Sequence, residues 1–171
     1  MDEHRIGLKP IPRRVWAPIG ARPVALGHHR YDWLHVTAFV APASGESEWY
    51  LSNTVNKPFF EAVLEDFAAT TGAGTSRVIL LVLDGAGWHG PDNLAIPNGI
   101  RLLTLPPYSP ELQPAERLWP ILDEPIVNRH FATLDAIEAE LDARCRYLHD
   151  QTQTLANLTN FHWWPAPSTP S

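Results

Sequence analysis

Asp84 closes the run Val78-Ile-Leu-Leu-Val-Leu83 and is followed by Gly85 and Gly87, so it falls at the carboxyl end of a buried strand. Open α/β sheets bind ligands at that end. A carboxylate there is costly unless a metal or a cationic partner holds it; otherwise it is a turn aspartate capping the next segment. Glu116 follows Pro114 at the third position of a proline-started helix. It either serves the helix dipole or is aimed at a site by the rigid Tyr108-Ser-Pro110 loop before it. Asp2, with Glu3 beside it, is a third carboxylate whose position alone carries no meaning. His89, five residues beyond Asp84, is either a structural hydrogen-bonding residue or an auxiliary group near a metal or leaving group. Three carboxylates from distant parts of the chain, with one cysteine and no Gly-rich phosphate loop, point to oxygen ligation of Mg²⁺ or Mn²⁺. A pair of such ions can activate a water or a 3′-hydroxyl and stabilise the leaving oxygen in phosphodiester chemistry.

The elements that must position these groups read as an α/β order with a mixed sheet. Residues 33–41 and 48–51, separated by Pro42-Ala-Ser-Gly45, give a hairpin signal. Phe59, Phe60, Val63, Leu64 and Phe67 at helical spacing predict a helix over 58–70, closing at Gly72. Residues 77–84, continuously apolar from Val78 to Leu83, predict a central parallel strand covered on both faces, and 100–105 predict a second. Between them, 85–99 holds a short helix at most. Pro106-Pro107-Tyr108-Ser109-Pro110 forces an extended connection, and Pro114 suits the first turn of a helix through Leu122. Leu134, Ile137, Leu141 and Cys145 predict an amphipathic helix over 134–148.

With 171 residues the chain is one domain's worth. It divides into a domain over 1–150 and a C-terminal tail over 151–171, partly disordered. The composition, 44% hydrophobic and 19% charged, excludes a disordered chain. The longest aliphatic run, Val78 to Leu83, is too short to span a bilayer, so no membrane partner is expected. The start lacks a secretory apolar core and Cys145 is the single cysteine, so a cytoplasmic, nucleoid-associated protein is expected. Residues 1–30 hold six Lys/Arg against two acids, whereas the remainder holds seven against seventeen. That basic arm either meets a polyanion or is an ordinary solvated loop.

Two stretches, Leu83-Asp-Gly-Ala-Gly-Trp-His89 and Leu105-Pro-Pro-Tyr-Ser-Pro-Glu-Leu-Gln-Pro-Ala-Glu-Arg-Leu-Trp119, resemble the DDE superfamily endonuclease domain of bacterial insertion-sequence transposases in the mariner superfamily. Asp2-Glu-His-Arg-Ile-Gly-Leu8 and the arm Arg14-Val-Trp-Ala-Pro-Ile-Gly-Ala-Arg-Pro23 look like the first catalytic segment of that domain. The resemblance implies a ribonuclease-H-like mixed sheet flanked by helices and a metal triad of Asp2, Asp84 and Glu116 holding two Mg²⁺ or Mn²⁺ ions. Asp84 and Glu116 stand 32 positions apart (116 minus 84), close to the short spacing of that family. The implied chemistry is nicking at transposon inverted-repeat ends followed by strand transfer to target DNA. Arg5, Arg13, Arg14 and Arg22 would contact DNA, His89 would be auxiliary, and Tyr108 and Trp119 would pack or shape loops. A homodimer is the expected complete state. The chain departs from the family in Gln113, where Asn is usual before the proline, and in Ile19, where Arg is common before Gly20. In the family an apolar central strand runs into the first aspartate and DNA-binding helix-turn-helix modules lie upstream; here Met1 alone precedes Asp2. The expectation is therefore a first central strand truncated at the N-terminus, in a fragment that needs an upstream segment or survives as a catalytically inactive remnant binding DNA or protein.

Overall fold

Strand β1 (Asp2–Gly7) pairs antiparallel with β2 (Trp33–Val40), and β2 pairs antiparallel with β3 (Ser47–Ser52), in the order β1-β2-β3. The register sets Asp2 opposite Ala38 and Phe39 opposite Glu48. The computed structural model describes residues 1–24, 26–27, 30–85, 94–107 and 109–162. The described residues of the arm joining β1 and β2 are mostly exposed and without regular structure, as its prolines favour. The predicted hairpin is formed by β2 and β3. Its turn includes Gly45 at φ +75°, and the Gly45 amide donates to the Ala41 carbonyl at 2.7 Å.

Helix α1 (Lys57–Thr71) begins where the Asn56 side chain accepts from the Phe59 amide at 2.9 Å, and it ends at Gly72 with φ 69°. Phe60, Val63, Leu64 and Phe67 form its buried stripe. β4 (Ile79–Leu83) and β5 (Ile100–Thr104) pair in parallel, with Ile79 opposite Ile100. Leu81 and Leu83 turn toward α1 in a core shared with Phe39 and Ile100. The expectation that both faces of β4 are covered is corrected: Leu80 is 61% and Leu103 47% exposed among the described residues. Continuous apolarity in sequence does not distinguish a covered second face from a bare one.

The predicted helix over 114–122 is a 3₁₀ turn (Pro114–Leu118) followed by the short helix α2 (Trp119–Leu122). Pro120 has no amide proton to give the Glu116 carbonyl, so an α ladder cannot run through this segment. Helix α3 (Leu134–His149) follows, capped by Thr133, and buries Ile137, Leu141, Cys145 and Leu148. The expected tail from residue 151 is also corrected: Thr152–Thr159 form α4, and Leu155 is wholly buried in the main core. That core holds Ile6, Leu34, Val36 and Ala38 against Leu118, Leu122, Leu141 and Leu148. Helices α2 to α4 therefore pack on one face of the first sheet. Phe39 turns the other way, into the core built by α1, which is the strand alternation made visible.

Asp2 opens β1 instead of ending a strand, and β1-β2-β3 and β4-β5 are two separate sheets. The Met1 amino group donates to the Val82 carbonyl at 2.6 Å, bringing the start of β1 beside β4. Next to this contact lies a cleft of about 540 Å³ whose lining includes Phe39 and Val40 of β2 and Ile79 to Leu81 of β4.

Candidate active site

The fold brings three carboxylates, from positions 2, 84 and 116, into one another's electrostatic reach. Asp2 is buried at 9% exposed and starts β1. Its Oδ2 accepts from the Trp119 indole Nε1–H at 2.8 Å, and its carboxylate also takes a bond from the Glu3 amide. Burial raises the Asp2 pKa above the usual carboxylate range. The two hydrogen bonds and the amino terminus oppose this, and the charge of Asp84 adds to it. The neighbouring Met1 amino group is driven by burial down to about 5, against the pull of Asp2 and Asp84.

Glu116 sits on the 3₁₀ turn with its side chain toward solvent. Its pKa is raised, first by partial burial and then by the charges of Asp2 and Asp84, with His4 acting in the opposite sense. Asp84 lies immediately after β4 and is exposed. Gln113, placed before Pro114, makes no side-chain cap; its Nε2–H₂ donates to the Met1 carbonyl at 2.6 Å instead. That bond ties the segment bearing Glu116 to the strand bearing Asp2. Converging carboxylate charges, with only oxygen to offer, suit a hard divalent cation that would neutralise them. Among the described residues no group of three or more His, Cys, Asp or Glu side chains stands close enough together to hold a metal ion.

The basic candidates separate. The Arg5 guanidinium lies over the Trp33 ring at 4.4 Å, and Arg13 Nη2 donates to the Pro120 carbonyl at 2.6 Å, fastening the arm to the body. Arg14 and Arg22 are exposed along the arm, as are Trp16 and Ile19. His89 and Tyr108 lie outside the described residues.

Three residues near the site were not singled out as functional in sequence. The family resemblance implies packing or loop-shaping for Trp119, whereas its indole bonds Asp2. The His4 ring stacks on Trp119 at 5.0 Å between centroids and 15° between planes, and its Nε2 pairs with Asp123 Oδ1 at 3.1 Å. The available signal is the alternation of Asp2 and His4 along one strand face.

The family model for DDE superfamily endonucleases matches residues 1–138. A protein of Sinorhizobium fredii, "Uncharacterized protein y4pE/y4sA", is 30% identical over 132 residues, covering 77% of this chain and 96% of its own length. Among solved structures, the Mos1 transposase paired-end complex with left transposon end is 14% identical, covers 91% of this chain and 51% of its own, and has a TM-score of 0.59. The Mos1 mariner paired-end complex with Mn is 13% identical, covers 95% and 55%, and has a TM-score of 0.56. The chain thus spans about half the length of the Mos1 chains, and at this identity the likeness shows the shared mixed α/β fold. Taken with its family match, the chain belongs to the DDE superfamily endonucleases.

Proposed function

We propose that the chain is the catalytic domain of an insertion-sequence transposase, cleaving DNA at element ends and transferring the strand, with Asp2, Asp84 and Glu116 as its metal-holding triad. The observation that carries this reading is the convergence of the three carboxylates: the charges of Asp2 and Asp84 help raise the Glu116 pKa, and the charge of Asp84 helps raise that of Asp2. The triad would hold two Mg²⁺ or Mn²⁺ ions, which when bound supply activation of water or a 3′-hydroxyl and stabilisation of the leaving oxygen. Asp2 presents its carboxylate from a buried strand start, Glu116 from a turn fixed by Pro114 and Gln113, and Asp84 from the exposed end of β4. Arg14 and Arg22 offer charge to DNA phosphates along the arm, while Arg5 and Arg13 hold the arm's base. His89 is kept as an auxiliary group, the working assembly as a homodimer, and the place of work as the cytoplasmic nucleoid.

In its finer detail the fold would be ribonuclease-H-like, with the cleft between β2 and β4 taking a further extended strand that runs into Asp2. The division into two sheets favours a second reading, in which this chain is an inactive remnant that binds DNA or another transposase.

The test is Mg²⁺-dependent nicking of a plasmid carrying the element's flanking repeats, by the chain alone and with a short apolar extension before Met1. Nicking abolished by Asp84→Asn supports the triad, and nicking that survives that substitution overturns it. DNA binding without cleavage in both forms selects the remnant.

A further inference from the structure

We propose that Trp119 is the positioning residue of this site, its indole N–H holding the Asp2 carboxylate in one orientation toward a divalent cation. The inference rests on the reading of Asp2 as a metal ligand.

The geometry joins two elements at one seam. Trp119 opens α2 directly after the 3₁₀ turn that carries Glu116, and it is buried where Glu116 is exposed. On β1, Asp2 and His4 are two apart and share a face. Across the seam the Trp119 Nε1–H reaches Asp2 Oδ2 at 2.8 Å, wholly out of water. The other side of the indole is held in turn: His4 stacks on it, and His4 Nε2 pairs with Asp123, four residues after Trp119. Trp119 is 6% and Asp123 7% exposed, so neither is free to swing.

Indole is a donor only, so this bond favours the ionised, acceptor form of Asp2, the form a cation needs. A neutral donor does so without the competing charge that Arg or Lys would bring beside a metal. Together with the bond from the Glu3 amide, the indole bond means that turning the carboxylate breaks a buried hydrogen bond, so one direction for meeting an ion is favoured.

The test measures Mn²⁺ affinity, by calorimetry and by electron paramagnetic resonance, for the whole chain and for Trp119→Phe, Asp2→Asn and the double variant. Trp119→Phe should weaken Mn²⁺ binding on the order of tenfold, the usual effect of losing a bond to a ligand. In the Asp2→Asn background the same change should add no further loss. Because Trp119→Phe could fail to fold, a second variant replaces Trp119 by benzothienylalanine, which keeps the ring shape and lacks the N–H; it should reproduce the loss while melting like the wild type. Wild-type affinity in a folded Trp119→Phe or benzothienylalanine variant, or an equal loss in both Asp2 backgrounds, overturns the role of Trp119 and leaves the triad standing. No Mn²⁺ binding by the wild type overturns the metal reading itself.

Discussion

Replacing Asp2 by Asn should make the protein more stable at neutral pH while removing its function. Asp2 is 9% exposed and its folded-state pKa is raised, chiefly by burial and further by Asp84. A group whose folded pKa lies above its unfolded value near 3.8 contributes stability below that value and loses it as pH rises through the folded pKa. At pH 7 the ionised Asp2 therefore weighs against the fold. Asn keeps the shape, its Oδ1 can take the Trp119 N–H, and its amide faces a neighbourhood of carboxylate acceptors. Relief of desolvation and like-charge repulsion should give on the order of 1 kcal/mol. For a chain of this size that is about 2–4 °C in Tm. Mg²⁺ at ten times its Kd should raise wild-type stability by about 1.4 kcal/mol and the variant by less. The assay is thermal unfolding at pH 3, 5 and 7.5, with and without Mg²⁺. The variant's advantage should be absent at pH 3, where both forms are neutral, and full at pH 7.5. An Asp2→Asn protein less stable than wild type at pH 7.5, or equally favoured at pH 3, refutes the reasoning.

Two further outcomes test the scaffold. A Cβ on Gly45, whose φ is +75°, would lie 1.8 Å from the Thr152 carbonyl oxygen, where the hairpin turn meets α4. Gly45→Ala should cost about 3 kcal/mol from left-handed strain and overpacking together, read as a lowered denaturant midpoint. Cys145 is 4% exposed and its thiol is pushed by burial, and secondarily by Asp142, up to about 12. It should be inert to a disulfide reagent at pH 8 until the protein unfolds; labelling of the native chain within minutes contradicts this packing.

What the residues announced locally is what the chain forms locally. Asn56, Pro58 and Gly72 bracket α1 because caps act over three or four residues. Val78 to Leu83 reads as a strand because aliphatic continuity needs no partner to be seen. α4 was hidden because Thr152–Thr159 are mostly polar, and one buried leucine, Leu155, seats it in the core. The covering of β4 was misjudged because the sequence of a strand does not say what lies across from it, and Leu80 lies in the open.

The sequence by itself determined the candidate carboxylates and their family likeness, since those rest on residue type and spacing along the chain. Only the tertiary structure decided that Trp119, 117 positions away, holds Asp2 and that Gln113, 112 positions away, holds Met1. The physical reason is that a hydrogen bond is satisfied by proximity in space. Which distant donor meets a buried acceptor is settled by how β1 packs on the turn after Pro114, and no local propensity encodes that.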